Sequence, residues 1–288
     1  DVETDEVDDA LTAEPLPGGG WLVEVHISDA SAWIPAGSVV DGEACRRGAT
    51  LYLPDRRIPM VPPVLAFGGM SLVEGEDRAA LTFRIELNAQ GRVVDFSPRM
   101  TRIRVDHQLP YEEVDSLLDT RSDTALGTML RALFRSSETL RRERIAAGAM
   151  EVQPPEVKVR IDDGGGVRIS PIERFGPARR MVSEWMIQTG RLAAAWCRDR
   201  RAPAVFRCQE APEELSVELP EESVVDAVMF HAIVRGLRKA QVTSQPGAHW
   251  GLGVEAYTQV TSPIRRYADL VMHRQIKSVL LEEDPALS

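Results

Sequence analysis

The chain has 288 residues, 43% of them hydrophobic, enough to bury a large core as one large domain or two moderate ones. Its formal net charge of −10 weighs against nucleic acid as a partner, because phosphate binding is driven by Lys and Arg. No apolar run reaches about 18 residues and the opening stretch Asp1–Ala10 is acidic, so neither a membrane span nor a leader is expected, and a cytoplasmic address follows.

Residues 21–29 alternate apolar and polar and read as a strand leaving the Pro17-Gly18-Gly19-Gly20 turn, with Leu11 and Ala13 marking a partner strand before it. A hairpin over 79–96 turns at Asn88–Gly91, and 101–105 extends the same sheet. From Tyr111 the spacing becomes helical, over 111–119 and then 122–147. Residues 156–170 form a second hairpin across Asp162–Gly166. Helices follow at about Pro177–Asp199, 222–239 and Pro263–Leu281. The expected fold class is α+β, sheet first and helices later, in a single domain over 1–288 excised from a longer protein.

The three cysteines, Cys45, Cys197 and Cys208, are odd in number and lack CxxC spacing, so no disulfide-linked partner and no zinc site is expected. The acid is concentrated at 1–14, 74–77, 112–119, 210–222 and 282–284. Arginines crowd 131–207, which leaves room for a local basic surface despite the global charge.

Asp1, Glu3, Asp5, Glu6, Asp8 and Asp9 stand immediately before an apolar strand. Hard divalent cations take oxygen ligands, and phosphoryl chemistry uses carboxylate-held metals to activate water, so this cluster suits such a centre as well as a solvated acidic tail.

Three segments occur in the order of one known family: the acidic cluster ending in DDA, then VHISDASAWIPAGSVVDGEACRRGATLYLPDRRIPMVPPVL, and later HWGLGVEAYTQVTSPIRRYADLVMHR. The chain resembles the ribonuclease II (RNB) family along essentially its whole length. The resemblance implies an RNB-type catalytic domain, a 3′-to-5′ exoribonuclease that hydrolyses single-stranded RNA to nucleoside 5′-monophosphates with Mg²⁺, for which Mn²⁺ can substitute. It implies metal ligands at Glu6, Asp8 and Asp9, with Glu6 standing where the family has Asp. The first family acid is expected six residues before Glu6, and Asp1 stands five before it, so either one residue is deleted or the true ligand is truncated; Asp1 is assigned, with Asp5 its substitute.

By the same resemblance Asp9, Arg265 and Arg266 are catalytic, the arginines serving the scissile phosphate, where a guanidinium suits developing charge. Tyr111 meets the 3′-terminal nucleotide, Tyr52 stacks on a base further out, and Glu184 and Arg265 also contact RNA. His26, Asp29, His249 and His273 are read as structural. Two positions depart from the family: Ser183 replaces the first of two consecutive glutamates, and Val152 stands where an aromatic clamp residue is usual. By the resemblance, OB-type RNA-binding modules flank this domain in relatives, and a monomer is expected here. The rival reading is a catalytically weakened RNA-binding module.

Overall fold

The computed structural model describes residues 5–152, 157–161, 166–171, 176–213 and 226–284. Strands β1 (Asp9–Pro15), β2 (Trp21–Ser28), β5 (Asp77–Leu87) and β6 (Val93–Arg104) make an antiparallel sheet in the order β1-β2-β5-β6. The short strands β3 (Leu51–Tyr52) and β4 (Arg57–Ile58) pair separately, between α1 (Val39–Arg47) and β5. The predicted strand partner carrying Leu11 and Ala13 is present, with Leu11 opposite Val25 and Ala13 opposite Val23. Gly20 closes the intervening turn at φ +95°, where a Cβ would sit 2.1 Å from the Leu87 carbonyl oxygen.

Alternation sorts the sheet into two faces. Val23, Val25 and Ile27 pair with Ile85, Phe83 and Leu81, and all six are fully buried. Helices pack on this face: α2 (Tyr111–Asp119), α3 (Ala125–Ala146) and α4 (Pro177–Asp199) supply Val114, Leu130, Leu133, Met181 and Trp185 to the same cluster. The Trp185 indole donates to the Leu133 carbonyl at 3.2 Å, tying α4 to α3. The opposite face carries a polar chain in which His26 bonds Thr82 at 2.8 Å and Thr82 bonds Thr101 at 2.6 Å.

The remaining elements are the hairpin β7 (Val157–Ile161) with β8 (Val167–Pro171), then β9 (Phe206–Cys208), α5 (Ala227–Gly236), β10 (Gln241–Thr243) and α6 (Tyr267–Leu281). Three expected boundaries move. The helix placed at 122–147 starts at Ala125, because Thr124 caps it by accepting the Gly127 amide at 3.1 Å. Asp226 caps α5 in the same way; of the helix expected at 222–239, residues 222–225 lie outside the described residues. The last helix begins at Tyr267, since Arg266 is extended at φ −137° and the residues before it form a turn. Helix α1 was not anticipated; it is capped by Ser38 and ends at Gly48 with φ +73°. Among the described residues, no helix is long and apolar enough to cross a membrane.

Candidate active site

Two distant parts of the chain build one cleft. The segment entering β1 carries Glu6, Asp8 and Asp9, and the turn before α6 carries Ser262 to Arg266. Asp8 joins them: its Oδ1 accepts the Ile264 amide at 3.1 Å and its Oδ2 accepts Arg265 Nε at 3.1 Å. The Asp8 side chain is 2% exposed and that of Arg265 is 45% exposed, so the guanidinium spans from a buried carboxylate to open solvent. Its Nη2 also donates to Ser262 Oγ at 3.1 Å.

Asp269 holds the same turn from the other side. Wholly buried in the first turn of α6, its Oδ2 accepts the Ser262 amide at 2.9 Å and Arg266 Nη2 at 2.7 Å. Arg266 also reaches Thr261 Oγ1 at 3.3 Å. Arg266 is therefore turned toward the helix start, and of the two predicted arginines Arg265 is the one that lines the cleft.

Burial dominates the acids. It pushes the Asp8 carboxyl from 3.8 up to about 7 against the opposing charge of Arg265 and the Ile264 bond, and it raises Asp9 as well. The pair is thus short of positive charge.

Glu6 is buried beside them. Tyr52 donates its phenol to Glu6 Oε2 at 2.6 Å, and Thr50 Oγ1 lies 3.5 Å from Oε1 while accepting the Met60 amide. Burial and the Glu6 bond push the Tyr52 phenol up to about 12, so it stays a donor. Arg57, not singled out in the sequence, lies 5.6 Å from the Tyr52 ring and 5.3 Å from the Phe67 ring, and pairs with Asp5 at 3.5 Å. Asp5 is mostly exposed, and Asp1 lies outside the described residues.

Tyr111 opens α2 and is half-buried, its ring covered by the Arg179 guanidinium at 4.3 Å. Burial, then the charge of Asp9, raises its phenol. Glu6, Asp8, Asp9, Tyr52, Tyr111 and Arg265 all line one cleft of about 1060 Å³, together with Arg57 and Arg179.

Glu184 is placed elsewhere. It is buried in an ion pair with Arg144, whose Nη2 is 2.6 Å from Oε2, and Oε1 accepts Gln188 Nε2 at 2.7 Å. Its neighbour Ser183 is the exposed member of that pair. Val152 is partly buried and outside the cleft lining. Asp29 receives Lys277 Nζ at 2.6 Å, and the buried His273 bonds the Val260 carbonyl at 2.7 Å, both away from the cleft.

The donor set at the cleft is all oxygen and undercompensated, which fits a hard divalent cation in chemistry and charge. Among the described residues, no three carboxylate, imidazole or thiolate groups converge closely enough to hold a metal ion.

Fold and site together define an α+β domain with an acid-floored cleft closed by an arginine. The chain matches the RNB domain family over residues 1–282 and belongs to that family. It is 33% identical over 287 residues to an uncharacterized ribonuclease of Synechocystis sp., covering 98% of this chain and 42% of that protein. It is 32% identical over 309 residues to ribonuclease R of Thermotoga maritima, covering 96% and 44%. Mycoplasma genitalium RNase R in complex with ribose methylated single-stranded RNA shares the fold, with a TM-score of 0.86 at 22% identity over 96% of this chain and 49% of that one. So does yeast Ssd1, a pseudonuclease, at 0.77 and 18% identity over 98% and 38%. The chain spans less than half the length of each of these proteins.

Proposed function

We propose that this domain is an exoribonuclease that hydrolyses single-stranded RNA from the 3′ end to nucleoside 5′-monophosphates, acting as a cytoplasmic monomer. Membership of the RNB family and relatives named ribonuclease R support the reaction class. The observation that carries the assignment to this cleft is the Asp8–Arg265 pair, which sets a half-exposed guanidinium beside desolvated acids in a cleft that two tyrosines also line.

Asp8 and Asp9, with Glu6 and with Asp1 from outside the described residues, would hold Mg²⁺, or Mn²⁺ in its place. When bound, the metal supplies an activated water and charge for the leaving oxygen. Arg265 binds the scissile phosphate through donors not spent on Asp8, and its charge is the same in ground and transition states, so it favours the state with more negative charge. Tyr111 and Tyr52 offer ring surface to bases irrespective of sequence. Arg266 acts through the turn it anchors.

A 5′-labelled single-stranded RNA incubated with Mg²⁺ or EDTA, with the unmutated chain and with Asp9→Asn, tests this. Metal-dependent shortening from the 3′ end that Asp9→Asn abolishes is expected. Intact RNA bound by a folded unmutated chain would instead establish a binding module.

A further inference from the structure

Arg57 is not among the residues through which the proposed reaction has been described. It stands opposite Tyr52 in the β3–β4 pair, so both side chains rise from one face of that ribbon, with Leu51 and Ile58 on the other. The Leu53 amide closes the connection by donating to the Arg56 carbonyl at 2.9 Å. The register therefore fixes Arg57 beside Tyr52. Its guanidinium carbon lies 5.6 Å from the Tyr52 ring centroid and 5.3 Å from that of Phe67.

The acidic segment orders its partners along the cleft. Asp5 pairs with Arg57, Glu6 accepts the Tyr52 phenol, and Asp8 accepts Arg265. Asp5 and Asp8 are three steps apart in the chain, which sets their Cα atoms at most about 11 Å apart. Both arginines and Tyr52 line the same cleft. A strand whose scissile phosphate lies on Arg265 and one of whose bases rests on Tyr52 thus meets a second guanidinium beside that base. Asp5 holds this guanidinium loosely, at 3.5 Å and with its own side chain 67% exposed. An exposed pair of this kind contributes little, so a phosphate can take the place of Asp5 at small cost.

We propose that Arg57 binds a backbone phosphate of the RNA on the 5′ side of the scissile one, next to the base that rests on Tyr52. The inference rests on the reading above, in which Tyr111 meets the terminal nucleotide, Arg265 the scissile phosphate and Tyr52 a base further out. Asp5 gives up the guanidinium to that phosphate when the strand enters. The contact is to the backbone, so it positions the strand and reads no sequence. Strands too short to reach Tyr52 do not gain it.

Fluorescence anisotropy in EDTA, where turnover is absent, compares a 5′-fluorescein RNA with strands of the same sequence in which one phosphate at a time, counted from the 3′ end, is a neutral methylphosphonate. Neutralising one phosphate upstream of the last linkage is expected to weaken binding to the unmutated chain about tenfold, the size of one charge-assisted hydrogen bond. Arg57→Gln, checked for folding by its melting temperature, is expected to bind the all-phosphate strand about tenfold more weakly and to lose nothing further at that position. The other positions should keep their unmutated losses. Should Arg57→Gln not fold, Arg57→Met, which keeps an unbranched stem against the two rings, takes its place with the same expectation. Losses that add at every position overturn the proposal, because a residue that only packs the hairpin weakens all strands alike. A coupled position at the last linkage also overturns it, since that places Arg57 on the scissile phosphate. Additive losses in a chain that still shortens RNA from the 3′ end with Mg²⁺ refute only this inference, whereas an unmutated chain that binds none of the strands refutes the functional reading too.

Discussion

Arg144 and Glu184 form an ion pair inside the protein, three guanidinium-to-carboxylate contacts of 2.6 to 3.2 Å between side chains 8% and 3% exposed. The pair joins α3 to α4, and Arg144 Nη1 continues to the Leu252 carbonyl at 2.8 Å. Removing one partner strands the other charge in the core. Glu184→Ala is expected to lose about 3–5 kcal/mol of stability in urea unfolding. In the fraction that remains folded, kcat/KM on RNA should stay within a few fold, and a large loss there would return Glu184 to the substrate.

Tyr52 has a separable hydroxyl and ring. Tyr52→Phe leaves Glu6 Oε2 without its 2.6 Å donor in a buried place, and a loss of about 1–3 kcal/mol in stability is expected with RNA affinity retained. Tyr52→Ala also removes the stacking surface, and RNA binding should weaken by about 1–3 kcal/mol. Paired melting and anisotropy measurements check both, and equal RNA affinity in all three proteins would remove Tyr52 from the binding surface.

His26 makes acid stability depend on pH. Burial lowers it from 6.5 to about 4, so between those values the unfolded chain takes a proton that the folded chain refuses. The contribution is whole above pH 6.5 and falls away as the pH drops toward 4, by about 3 kcal/mol in total. Urea unfolding across this range should show a smaller decline for His26→Asn than for the unmutated chain. Parallel declines would show that His26 does not titrate in this way.

Gly190 sets how closely α4 approaches the segment leading to the arginine turn. A Cβ there would stand 2.5 Å from the Thr258 carbonyl oxygen and 2.5 Å from the Tyr257 ring. Gly190→Ala gains helix propensity but overpacks, and a net loss of about 1–3 kcal/mol is expected from its thermal midpoint. An unchanged or higher midpoint would mean that the segment can move aside.

Alternation made the sheet legible, because one face of Trp21–Ser28 and Asp77–Leu87 is apolar and the buried positions on the other are largely polar, as at His26, Ser28 and Thr82. Helix α1 left little trace, since only Asp41 and Ala44 of its nine residues are buried. The late start of α6 has a different cause. Pro263 suits a first helical turn, but the Ser262 and Ile264 amides bond to Asp269 and Asp8, the latter 256 residues away, and no local pattern shows that. The acids, the tyrosines and the arginine pair were legible as a group. Which neighbour faces the cleft was not: Arg265 and Arg266 differ only in which carboxylate claims them, and Ser183 and Glu184 only in their angle around α4. Arg179 was hidden among many arginines, its distinction being the ring of Tyr111 on another helix.

The closure of Asp8 onto Ile264 and Arg265 also makes the cleft a property of the assembled fold: the bonded residues stand 256 positions or more apart, so neither a fragment holding the acids nor one holding the arginine turn contains the pair.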